Sequence, residues 1–79
     1  MTSKLLVANR GEIAVRIMAT AAALGVPTVA VHPEDDAACA HRVRADEAVQ
    51  LPGTGAAAYL DVAQIVAAAV RTGCDALHP

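Results

Sequence analysis

One stretch, Leu5-Leu6-Val7-Ala8-Asn9-Arg10-Gly11-Glu12-Ile13-Ala14-Val15-Arg16, restricts the fold more than any other part of the chain. Four apolar residues run into a polar corner, and the corner runs into a helical period. An apolar run ended by Asn-Arg-Gly suits a buried strand of a parallel sheet. Beyond it Ile13, Ile17, Ala21 and Leu24 recur at spacings of three or four, which places them on one helical face. Strand, corner and helix in that order open a βαβ unit. Such corners lie at the carboxyl end of the sheet, where α/β proteins bind their ligands.

Two phosphate-binding patterns are tested against this corner. A dinucleotide loop needs G-x-G-x-x-G so that backbone approaches a pyrophosphate at the helix N-terminus; Gly11 stands here without the second and third glycines. A Walker loop, G-x-x-x-x-G-K-[ST], occurs nowhere in the chain. Helix capping accounts for the corner instead. Asn9 is placed to cap the helix, and Glu12, three residues on, completes a capping-box-like pair. Glu12 also sets negative charge at the positive end of the helix dipole, which repels a phosphate.

The first helix is predicted over 11–24, closed by Gly25 and then Pro27. Pro27-Thr28-Val29-Ala30-Val31 reads as a second strand, parallel to the first through a right-handed crossover, with the proline tolerated at its start. His32-Pro33-Glu34-Asp35-Asp36 then forms an acidic loop. Its place matches that of the ribose-binding acid in a Rossmann unit. Without the glycine fingerprint, a solvated loop or the start of a short helix over 37–44 is the better reading. Residues 48–51 are predicted as a third strand and Pro52-Gly53-Thr54-Gly55 as a turn. A helix over 61–72 follows, capped by Asp61 and closed by Gly73, with Val62, Ile65, Val66, Ala69 and Val70 as its apolar stripe. Cys74-Asp75-Ala76-Leu77 is the predicted fourth strand. No helix follows it, so the 79 residues are expected to be a domain incomplete at its C-terminal end.

Composition bears on what such a chain does alone. Twenty residues are alanine and none is Phe or Trp, so the 56% hydrophobic fraction overstates the core. Burial set against chain entropy comes out near zero at this size, and the segment is expected to pack against more protein. Six basic against eight acidic residues give no nucleic-acid surface, and Tyr59 as sole aromatic gives no base-stacking series. No apolar run reaches the ~18 residues of a membrane span, and no signal peptide is visible. Cys39 and Cys74 form no CxxC pair, so reduced thiols in a cytoplasmic protein are expected. Cys39-x-His41, with His32 and His78 far off, falls short of a four-ligand zinc site. Neither cysteine has a context that would activate it as a nucleophile. Lys4, ahead of the first strand, is expected to face solvent. On its residues alone the chain is an α/β segment without a complete active site.

The motifs taken together say more. Ala8-Asn9-Arg10-Gly11-Glu12-Ile13-Ala14-Val15-Arg16-Ile17 resembles the opening signature of the biotin carboxylase component of biotin-dependent carboxylases. The resemblance continues through Thr28-Val29-Ala30-Val31-His32, His41 and Ala45-Asp46-Glu47-Ala48-Val49. It runs on in Tyr59-Leu60, Ile65, Ala67-Ala68 and Thr72-Gly73-Cys74-Asp75-Ala76-Leu77-His78-Pro79, so it covers essentially the whole chain in order. It implies a Rossmann-like, pre-ATP-grasp parallel sheet with flanking helices, packed against a downstream ATP-grasp domain. It also implies a parent enzyme, an ATP-dependent ligase of the acyl-CoA carboxylase α-chain type. There ATP activates bicarbonate to carboxyphosphate and CO₂ passes to biotin on a carrier domain, with magnesium offsetting phosphate charge. A carboxyltransferase then uses the product.

In that family the groups that bind ATP, magnesium, bicarbonate and biotin lie downstream, so this segment alone is expected to be inactive and to bind no cofactor. Asn9, Arg10, Gly11 and Glu12 are then a structural corner. His78-Pro79 begins the family's His-Pro-Gly-Tyr-Gly loop, whose tyrosine lies near the biotin site. Arg16 matches a position near the subunit interface of dimeric members; the alternative is an ordinary solvated helix arginine. Ala19, Thr20, Ala21, Ala22 and Ala23 depart from a stretch that is usually more charged, so a homo-oligomer here need not use the familiar contacts. Two other readings stay open on sequence: the leading domain of another ATP-grasp ligase, such as a carbamoyl-phosphate synthetase, and a free-standing Rossmann-type binding module.

Overall fold

The computed structural model describes residues 3–35 and 45–78. The predicted helix over 37–44, Cys39, His41 and Pro79 lie outside them. The elements are β1 (Leu5–Val7), α1 (Gly11–Ala23), β2 (Thr28–His32), β3 (Glu47–Gln50), α2 (Gly55–Tyr59), α3 (Val62–Thr72) and β4 (Ala76–His78). The four strands form one parallel sheet in the order β3-β2-β1-β4. The chain therefore builds outward from β1 to β3, then crosses back to place β4 on the other side of β1. Leu5 pairs with Thr28 on one side and with Ala76 on the other.

Alternation along the strands divides the core between two faces, because successive side chains point to opposite sides of a sheet. Leu6, Val29 and Val31 pack with Leu51, Ala58, Ile65 and Ala68 beneath α2 and α3. Val7 and Ala30 pack with Ala14 and Met18 of α1. Every residue of β2 is buried, as expected of a strand with neighbours on both edges and helices on both faces.

The two long helices sit where the sequence places them but are rotated from the predicted phase. α1 buries Ala14, Met18 and Ala21, while Ile13 and Leu24 are exposed. α3 buries Ile65 and Ala68, while Val62, Val66 and Val70 face outward. In both cases small alanines occupy the line of closest approach to the sheet. An alanine-rich helix carries more than one apolar arc, so spacing alone does not choose between them.

The ends of α3 follow the prediction. The Asp61 carboxylate accepts from the Gln64 N–H at 3.3 Å, and Gly73 closes the helix at φ 76°. α1 differs at its start, because its N-cap is Arg10, not Asn9, and Arg10 makes no side-chain cap hydrogen bond. The helix begins one residue later than a cap at Asn9 requires. The predicted fourth strand likewise begins late, at Ala76, because Cys74 N–H still donates to Ala69 O behind α3 and Asp75 N–H donates to Lys4 O.

Candidate functional site

At the carboxyl end of the sheet a cleft of about 510 Å³ opens between the corner after β1 and the start of α3. Ala8, Asn9 and Arg10 form one wall, Tyr59 and Leu60 the rim, and Leu77 of β4 part of the floor. β1 and β4 are the adjacent strands between which the chain reverses its direction of growth. A crevice there is where open α/β sheets place their ligands. The lining is mainly apolar, and Arg10 supplies its cationic edge. The Arg10 guanidinium carbon lies 5.9 Å from the centre of the Tyr59 ring, within cation–π reach.

The corner residues reach across to other elements. Asn9 Nδ2 lies 3.3 Å from His78 Nδ1, and the Ala8 N–H donates to His78 O at 2.8 Å. Two consecutive residues after β1 thus hold the last residue of β4. Gly11 starts α1 at φ 64°, in the left-handed region where a side chain is strained. Glu12 and Arg16 form an exposed (i, i+4) pair at 3.8 Å. Arg16 also lines a second groove of about 460 Å³ between α1 and β4, with Ile17, Leu24 and His78.

The described acids of the loop after β2 are exposed, as the solvated reading has it, and they also bond protein backbone. Glu34 Oε2 accepts from the Gly53 N–H at 2.9 Å and Asp35 Oδ1 from the Gly55 N–H at 3.0 Å. The Glu34 N–H returns a bond to Gly53 O at 3.0 Å. The spacing of acids and glycines carried no sign of this, because the partners lie on a different loop.

Lys4 does not face solvent freely. Its ammonium donates to Thr72 O, at the end of α3, at 2.6 Å and pairs with Glu47 of β3. A cation there complements the negative end of the helix. At the same edge the Asp75 carboxylate accepts from the backbone N–H of Lys4 and, through both oxygens, from that of Ser3. These bonds, Lys4's first, hold the Asp75 carboxyl below its ordinary value.

Among the described residues no three His, Cys, Asp or Glu side chains gather to hold a metal ion. The N–H groups of Gly53 and Gly55, a potential phosphate cradle, already donate to carboxylates. Among the described residues no helix is long and apolar enough to cross a membrane.

Sheet order, switch-point cleft and flanking helices define a Rossmann-like α/β unit. The sequence matches the family described as biotin carboxylase, N-terminal domain, over residues 1–79. It is 54% identical over 77 residues to the mitochondrial methylcrotonoyl-CoA carboxylase subunit alpha of Oryza sativa subsp. japonica, covering 96% of this chain and 10% of that protein. Among solved structures, a single-chain, multi-domain long-chain acyl-CoA carboxylase superposes with a TM-score of 0.96 at 56% identity, over 100% of this chain and 8% of that one. The biotin carboxylase domain of a single-chain bacterial carboxylase superposes at 0.94 with 51% identity, over 99% of this chain and 18% of that one. The chain belongs to the biotin carboxylase N-terminal domain family. It spans between about a twelfth and a fifth of these relatives' length.

Proposed function

We propose that these residues are the leading α/β unit of a longer biotin carboxylase, which carboxylates carrier-bound biotin using ATP and bicarbonate. The observation that carries this reading is the family match over residues 1–79. The relatives named as methylcrotonoyl-CoA and long-chain acyl-CoA carboxylases favour an acyl-CoA carboxylase α chain. On this reading the ATP, magnesium and biotin sites lie in an ATP-grasp domain further along the polypeptide, and the unit by itself has no turnover. Its partners are that domain, the biotin carrier and a carboxyltransferase; Arg16 faces a neighbouring domain or a second subunit. We place the enzyme in the cytoplasm, although relatives such as the rice protein are named mitochondrial.

In this setting the corner Asn9-Arg10-Gly11-Glu12 is structural. It joins β1 to α1 and fixes the end of β4, from which His78-Pro79 begin a loop toward the biotin site. The test is ATP hydrolysis by the purified full-length polypeptide that contains these residues. Hydrolysis that requires both bicarbonate and biotin is expected. Turnover with neither requirement, or with a different acceptor such as carbamate, would transfer the chain to another ATP-grasp ligase.

A further inference from the structure

We propose that the cleft at the carboxyl end of the sheet binds an aliphatic monocarboxylate, with its chain along α3 and its head on Arg10. Nothing in this depends on the carboxylation of biotin. Large apolar residues exposed singly are ordinary on a protein surface, whereas a contiguous group of them marks a site. Among the described residues seven large hydrophobics are exposed, and four of them, Leu60, Val62, Val66 and Leu77, line this cleft. Val62 and Val66 stand one turn apart on the same face of α3, and Leu60 lies in the connection from α2. Leu77 pairs in register with Leu6, so both side chains leave the sheet on the side of α3. They border a trough of about 510 Å³, within the range of small-molecule sites.

Arg10 decides the head group. Among the described residues no acid lines the cleft, and the ion pairs lie elsewhere, at Lys4–Glu47 and Glu12–Arg16. The Arg10 guanidinium is exposed and meets the Tyr59 ring, which attracts its charge but supplies no carboxylate oxygen. One cation balances one carboxylate, and the planar fork of N–H donors matches its two oxygens. A phosphate monoester, at roughly −1.5 to −2, would be left partly uncompensated. The wall decides the body. Tyr59 is the sole aromatic of the chain and its ring already carries Arg10, so the surface left to a ligand is branched aliphatic and suits a methylene chain.

The experiment is calorimetric titration of the full-length polypeptide with hexanoate, octanoate and decanoate below their micellar concentrations, and with 1-octanol and octyl phosphate. Saturable binding is expected, tightening about twofold to fourfold for each added methylene, the upper value being full burial. Arg10→Gln is expected to weaken octanoate about fivefold, the upper end for an exposed ion pair, and to leave 1-octanol unchanged. Val66→Glu sets a carboxylate against the chain and is expected to weaken octanoate and 1-octanol alike. Val66 is exposed, so this variant decides the matter if Arg10→Gln does not fold. Absence of saturable binding to the wild-type polypeptide overturns the proposal and means that protein fills the cleft. Binding that neither variant weakens also overturns it, because the ligand then sits elsewhere. Octyl phosphate that binds more tightly than octanoate overturns it at the head group.

Discussion

The molecule has two polar, glycine-containing connections at the carboxyl end of its sheet, and they treat their hydrogen-bonding groups in opposite ways. In the turn after β3, Gly53 and Gly55 N–H groups are satisfied by Glu34 and Asp35 from the loop after β2. Incoming side chains serve the backbone there, and the turn is closed to anions. In the corner after β1 the side chains reach outward: Arg10 lies over Tyr59, and Asn9 holds His78. The first arrangement stabilises one loop against another. The second ties three separate elements, α1, α2 and β4, around one cleft.

The largest expected break of this contrast is Gly11→Ala. Gly11 is held at φ 64°, and a side chain in the left-handed region costs about 1–2 kcal/mol. Hydrogen exchange at the first amides of α1 should speed up accordingly; unchanged exchange would show that the corner is not held in this conformation. Next is Glu34→Ala, which removes the acceptor of the Gly53 N–H in the turn after β3 and is expected to cost about 1 kcal/mol for a net hydrogen bond. Its effect should appear as faster exchange at Gly53 and leave α1 untouched, so a shared response would erase the distinction between the two connections. Smaller still is the coupling between Arg10 and Tyr59. A double-mutant cycle with Arg10→Ala and Tyr59→Leu should return about 0.5–1 kcal/mol, and a coupling of zero would remove Arg10 from the bonds that organise the cleft.

At the opposite end of the sheet Asp75 provides a control whose contribution does not vary with pH around neutrality. Its carboxyl is held below the ordinary 3.8 by the Lys4 and Ser3 N–H groups. A lowered folded value means that its stabilisation is fully present above about 3.8, the unfolded value, and is lost as pH falls through the folded one. The protection factor of the Lys4 amide, corrected for the intrinsic pH dependence of exchange, should therefore fall only below that range, and Asp75→Asn should abolish the acid dependence. A fall in protection between pH 5 and 7 would contradict the assignment.

Much of the fold was legible because its signals are local. The apolar runs before Asn9 and His32, the Asp61 cap and the Gly25 and Gly73 stops each act within a few residues of themselves. The signature from Ala8 to Ile17 pointed to the family before any coordinates. What escaped is non-local. Lys4 was read as solvent-facing because Thr72 and Glu47 stand far away in sequence. The backbone partners of the exposed acids Glu34 and Asp35 were missed for the same reason. The helical phases failed at Ile13, Leu24, Val62, Val66 and Val70, because alanine on several arcs leaves the moment of the helix poorly directed. α2, only five residues long, is too short to show a period. At the cleft, sequence gave no sign that Asn9 meets His78 or that Arg10 lies over Tyr59; contacts across a parallel sheet leave no spacing to read.

The position of β1 has a consequence for the order of events during synthesis. Among the described strands it is the first made, yet its two neighbours are Thr28–His32 and, much later, Ala76–His78. At about 5–20 residues per second, translation leaves its second edge open for seconds after the first has closed. Pairing of this kind closes large loops and is intrinsically slow. The growing chain therefore exposes an apolar strand edge over just the interval in which its final partner is being made, a window in which a chaperone or an incoming downstream domain has most to protect.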